Sequence, residues 1–132
     1  MSRNRKPDFV SLARGAKSTL RERNPRCDAE RVVPKETIRE LTDAGFFRML
    51  QPARWGGYEC HPLEFFDAAI EVASACPSTA WVLGVVAVHN WQLALFPEQA
   101  QRDVWEGEQG LDLSLIHISE PTRPNAPSRM PS

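Results

Sequence analysis

Four things are scarce in this 132-residue chain, and each scarcity removes a class of explanation. There are three cysteines, Cys27, Cys60 and Cys76, an odd number without CxxC spacing. That excludes a disulfide framework and reads as free thiols in a reducing cytoplasm. Metal ligands are equally thin: Cys60 and His61 are adjacent, and no candidate pair has helical i, i+4 spacing, so no metal site is expected. Net charge is −1, which gives no electrostatic footprint for nucleic acid. Long apolar runs are missing too. The run Trp81–Val88 is eight residues, far short of the roughly 20 that a membrane span needs. Met-Ser-Arg-Asn-Arg-Lys carries no apolar signal core behind it.

The remaining pattern is helical. The chain is organised around the stretch from Ser78 to Phe96. Ser78 and Thr79 are hydroxyl residues that suit a helix cap, and Pro97 stops the segment. Apolar on every side, Trp81–Val88 predicts a helix buried on every side. Gly84 and Ala87 lie three apart, and the helix propensity lost at Gly84 predicts close approach of a neighbouring backbone. His89, Asn90 and Gln92 surround Trp91 at the far end, where polar groups need partners and a ligand can be met.

Around this centre the periodicity places four more helices. Phe9, Leu12, Ala13, Ala16 and Leu20 form a one-sided stripe from Pro7 to Arg23, with Asn24-Pro25 predicted to break it. Pro34 to Ala44 follows, with Gly45 placed just past its end. Phe46 to Leu50 reads as short and extended. Ala53-Arg54-Trp55-Gly56-Gly57-Tyr58 reads as a tight loop plugged by Trp55, whose glycines permit positive φ or close backbone approach. Neither specific phosphate-loop pattern is present there. Pro62 to Cys76 is the next helix, with Phe65, Phe66, Ala69, Ile70, Val72 and Ala73 on a broad inner face. Glu64, Asp67 and Glu71 share its wet side, without the Glu-x-x-His motif of a di-metal bundle. The last helix opens at Pro97-Glu98 and runs to about Trp105. The early basic residues, Arg3 to Arg26, read as a solvated face.

The end of the chain differs. Four prolines fall in the last twelve residues, with no apolar period behind them. The string Leu113–Arg123 also resembles the in-frame translation of a transposase adapter used in sequencing libraries. The expected organisation is therefore a helical domain over residues 1–111 and a non-native or disordered tail over 112–132, with no role for His117 or Ser119.

Gly45-Phe46-Phe47, Gln51-Pro52, Trp55-Gly56-Gly57, Ser78-Thr79-Ala80-Trp81 and Val88-His89-Asn90-Trp91 together resemble the N-terminal helical domain of acyl-CoA-dehydrogenase-like flavoenzymes. Within that group they resemble most the oxygenase component of two-component flavin-dependent monooxygenases. The resemblance implies an all-α fragment of a parent about three times longer, lacking a middle β-domain and a C-terminal helical bundle. It implies a homotetrameric parent that takes reduced flavin, FMN or FAD, from a separate flavin reductase and hydroxylates a small aromatic substrate with O2. It also implies two site residues. Trp81 would contact the flavin ring, and His89 would orient a phenol or help remove its proton. The fragment alone is expected to be inactive. Two other readings stay open on the sequence: the same domain from an acyl-CoA dehydrogenase, and a free-standing helical interaction module.

Overall fold

The computed structural model describes residues 5–106. The domain boundary expected at 111/112, the tail, His117 and Ser119 lie outside the described residues. Among those residues the chain is all-α, with five helices and two short 3-10 turns.

Helix α1 spans Phe9–Glu30. Its cap is Asp8, whose carboxylate accepts from the Ser11 backbone N–H at 3.1 Å and from the Ser11 hydroxyl at 2.8 Å. The helix does not stop at Asn24. It runs through Pro25 for another turn and a half. An internal proline costs about 3 kcal/mol, and two sets of contacts offset it here. Cys27 is buried beyond the proline. Arg23 and Arg26 flank it and pair with Glu40 and Glu36 of the next helix, Arg23 making a two-pronged contact at 2.7 and 2.9 Å.

Helix α2, Lys35–Ala44, ends as expected at Gly45, which takes φ 91° and returns its N–H to the carbonyls of Leu41 and Thr42. Phe46–Arg48 then forms a 3-10 turn and not the extended segment expected from its apolar run. The turn drops Phe46, Phe47 and Met49 into the core together. Phe46 meets the Phe9 ring edge-on at 5.2 Å, and Tyr58 meets the same ring at 5.2 Å.

A second 3-10 turn, Ala53–Trp55, leads into Gly56 and Gly57. A β-carbon on Gly57 would lie 2.1 Å from the Gln51 carbonyl oxygen, so this glycine is required by the chain's own packing. Trp55 locks the loop to the last helix of the described residues. Its ring lies 6.1 Å from that of Trp105, and its indole N–H donates to Gln101 at 3.1 Å. Gln101 also accepts from Arg54 and donates to the carbonyls of Ala94 and Phe96, so all its polar capacity is used.

Helix α3, Pro62–Ala75, is capped by His61, whose Nδ1 accepts from the Leu63 N–H at 3.1 Å. Only Phe65, Ala68, Val72 and Ala75 are buried on it. Phe66 and Ile70, expected inside, stand more than half exposed. Glu64 and Glu71 are not a free wet stripe, because Lys6 holds Glu64 while Arg14 and Lys17 converge on Glu71. Helix α4, Pro77–Leu93, packs on α3, which in turn packs on α1. It begins a residue before the expected hydroxyls: Cys76 is the cap position, and Thr79 is buried, donating to the Cys76 sulfur at 3.1 Å. Helix α5, Glu98–Trp105, closes the described part.

The two glycines sort opposite ways. Gly84 has nothing within 4 Å of where a β-carbon would stand, so the expected close packing is not made by the described residues. Gly84→Ala is predicted to raise the stability of the chain by up to about 1 kcal/mol. Gly57→Ala is predicted to lower it by about 1–3 kcal/mol, because the clash is with backbone. Urea unfolding measures both, and equal effects would contradict this packing.

Acid has a definite sign. The carboxyls of Glu36, Glu40 and Glu71 are held below their ordinary value of 4.5 by hydrogen bonds from Arg26, Arg23 and Lys17 respectively, with Arg14 adding to the last. Their contribution is whole above that value and is lost as pH falls through the lowered ones. The thermal midpoint is predicted to drop as pH falls below about 4.5. Glu71→Gln should make that drop smaller, and an unchanged pH profile would count against the pairing.

Candidate functional site

The site begins with what fixes the rotation of α4. Asn90 is buried, and its side-chain N–H donates to the Phe47 carbonyl at 2.7 Å. Leu83, Val86 and Ala87 are fully buried on the same side, with Thr79 one turn earlier. With that side turned inward, the opposite side is uncovered. The expectation that α4 is buried all round is therefore wrong. Trp81 is 77% exposed, and Val88 and Trp91 are each 46% exposed. The reason is that the described residues supply neighbours for only one face, and hydrophobicity alone does not tell a buried face from one awaiting a partner.

At about 100° per residue, Trp81, Val85, Val88 and Gln92 fall within an arc of about 60° on the open side. His89 lies at the edge of that arc and Trp91 on its other flank. Trp81 and His89 stand about 12 Å apart along the axis. Both residues singled out from the sequence thus lie exposed on the open side of one helix.

The His89 ring is already oriented. Its Nδ1 sits 2.6 Å from the Val85 carbonyl oxygen. A carbonyl only accepts, so Nδ1 carries the hydrogen and the neutral ring has its lone pair on Nε2. An acceptor nitrogen is thereby presented on an exposed, largely apolar helix face. It can take a hydrogen bond from a hydroxyl group and hold its proton.

Trp81, Val85 and Val88 form an apolar strip on this open side, of the kind on which a flat ring system can lie. The Trp-Gly-Gly loop does not supply a phosphate cradle. The Gly56 N–H donates to the Ala53 carbonyl and the Gly57 N–H to the Pro52 carbonyl, at 3.0 and 3.1 Å. This loop therefore offers neither glycine amide to an anion. The carboxylates of α3 are not an acid–base pair either, since Glu64 and Glu71 are occupied by basic side chains. Cys60 is buried and its thiol is pushed up to about 11, mainly by that burial, which makes it a poor nucleophile.

The start of α4 also borders a groove of about 880 Å³, lined by the last turn of α1, the α1–α2 turn, α2 and Trp81. Sequence reading missed its two cations, Arg31 and Lys35. No sequence signal marked them, because α1 was expected to break at Asn24-Pro25 and its end at Arg31 is set by tertiary contact.

The chain is 47% identical over 96 residues to the flavin-dependent monooxygenase oxygenase subunit HsaA of Rhodococcus jostii, covering 73% of this chain and 25% of that protein. It is 37% identical over 98 residues to the oxygenase component of an FADH(2)-dependent resorcinol hydroxylase of a Rhizobium species, covering 74% and 24%. The crystal structure of 3-HSA hydroxylase from Rhodococcus sp. RHA1 superposes with a TM-score of 0.73 at 42% identity, over 80% of this chain and 27% of that one. The chain thus spans about a quarter of the length of these relatives. The family description "acyl-CoA dehydrogenase, N-terminal domain" matches residues 11–107, and the chain belongs to that family.

Proposed function

We propose that this chain is the N-terminal part of the oxygenase component of a two-component flavin-dependent monooxygenase that hydroxylates a small phenolic substrate. The observation that carries the reading is the open side of α4. It sets an exposed tryptophan and a tautomer-fixed histidine on one helix, in a chain whose relatives are oxygenase subunits.

Reduced flavin, FMN or FAD, would supply the electrons for inserting one atom of O2 into the ring, delivered by a separate reductase. The residues of this chain do the rest of what is assigned here. Trp81 forms a rigid wall against the flavin ring and keeps water from it. His89 accepts a hydrogen bond from the phenol hydroxyl at Nε2, orienting the ring and holding the proton as the aromatic carbon becomes nucleophilic. Asn90 acts through His89, by fixing the helix that carries it. The remaining flavin contacts belong to parts of the parent outside this sequence, and the parent is read as a cytoplasmic homotetramer. No helix among the described residues is long and apolar enough to cross a membrane.

The test begins with the reading frame across the codon for Leu113. The frame should continue into a β-rich middle domain and a helical bundle. The complete protein, given reduced flavin, O2 and candidate phenols, should form catechols. His89→Ala should lower kcat/KM about a hundredfold while reduced flavin is still consumed. A genuine stop after Ser132, or undiminished hydroxylation in His89→Ala, would overturn the reading or the role of His89 respectively.

A further inference from the structure

The monooxygenase reading gives no task to the three free, buried thiols, and two of them meet. Cys27 lies in the last turn of α1, and Cys76 holds the cap position of α4. They are far apart in sequence and belong to one apolar core. Two observations bring them together. The Cys27 thiol is within hydrogen-bonding reach of the Cys76 thiol and of Ser78. Cys27 also shares a wall with Pro77 and Ser78, the two residues that follow Cys76. Cys60 stands apart, with Lys6 and Glu64 as its charged neighbours.

The surroundings give the two sulfurs different chemistry. The Thr79 hydroxyl donates to the Cys76 sulfur at 3.1 Å, so negative charge developing there meets a donor already aimed at it. Burial, with Cys76 beside it, pushes the Cys27 thiol above its ordinary value of 9.0, which keeps Cys27 protonated until its partner has reacted. The turn that carries Cys27 is also the least firmly held of α1. Pro25 has no N–H to give the Arg21 carbonyl, and local opening of that turn admits a small oxidant.

We propose that Cys27 and Cys76 are a peroxide-sensitive thiol pair, whose oxidation to a disulfide ties the last turn of α1 to the start of α4. The Cys76 thiolate attacks one oxygen of hydrogen peroxide. The O–O bond breaks, and the departing hydroxide takes up the thiol proton as water. The Cys27 sulfur then attacks the Cys76 sulfenic acid. The S–O bond breaks, and hydroxide leaves with the Cys27 proton as a second water. Two thiols lose two electrons to one peroxide, and small thiols reverse the reaction by exchange. The link joins directly two helices whose main packing runs through α3. It neither uses nor depends on the monooxygenase reading.

Treating the reduced, folded 132-residue chain with hydrogen peroxide tests this. After catalase removes the peroxide, the thiols are counted in denaturant. The count should fall from three to one, and dithiothreitol should restore it. Peptide mapping without reductant should join the Cys27 peptide to the Cys76 peptide. The thermal midpoint should rise by about 5 °C or more on oxidation. Cys60→Ser should still form the link. Cys27→Ser should stop at a sulfenic acid on Cys76, which dimedone captures. The map of the unsubstituted chain decides the question whether or not the serine variants fold. Retention of three thiols, loss of thiols without that link, a link through Cys60 or between chains, or a midpoint that does not rise would overturn the proposal.

Discussion

One hydrogen bond sets the orientation on which the site depends. The Asn90 amide, buried in the middle of the molecule, donates to the backbone carbonyl of Phe47 across 43 residues of sequence. Either partner left alone in that environment would carry a desolvation cost of about 1–3 kcal/mol. The bond therefore specifies which side of α4 faces the core, more sharply than apolar side chains can on a helix that is apolar nearly all round. Turned this way, Leu83, Val86 and Ala87 go inward, and Trp81, Val88 and His89 go outward. The same bond ties α4 to the 3-10 turn that seats Phe46, Phe47 and Met49, so core and site share one anchor.

Charge does for α1 what Asn90 does for α4. Five of the basic residues concentrated in the first quarter of the chain meet the acids of α2 and α3 while their side chains stay partly solvated: Lys6 with Glu64, Arg14 and Lys17 with Glu71, Arg23 with Glu40, Arg26 with Glu36. Each exposed pair contributes little by itself. Together they fix the register of a 22-residue helix whose apolar stripe is narrow. They also explain why α1 survives Pro25, since two of the pairs sit within two residues of it.

Helix existence and most helix ends were legible from residue pattern. Gly45, Pro62 and Pro97 punctuate where expected, because capping and proline effects are local. The Trp-Gly-Gly loop was legible as a place of positive φ or close approach, and both occur, at Gly56 and Gly57. What pattern could not reach was set by tertiary contact. Pro25 is overridden by contacts of α1 with α2 and the core. Phe46–Arg48 turns instead of extending because three large side chains must enter the core from one short segment. The open side of α4 and the exposed Phe66 and Ile70 of α3 read as interior, because an apolar face left open has the same composition as one that packs into a core. Trp81 and His89 emerged from the sequence through family resemblance, and periodicity alone would have assigned both to packing. Arg31 and Lys35 had no motif to mark them.

On the function proposed above, the open face of α4 would be a wall completed by the rest of a longer enzyme. Hydroxyl-radical footprinting of Trp81, in this chain and in the complete parent, tests it most directly. The account predicts rapid oxidation of Trp81 in the 132-residue chain, where it is 77% exposed, and protection of at least about tenfold in the parent, as for a side chain that becomes buried. Equal oxidation in both would contradict it, leaving α4 as an ordinary surface helix.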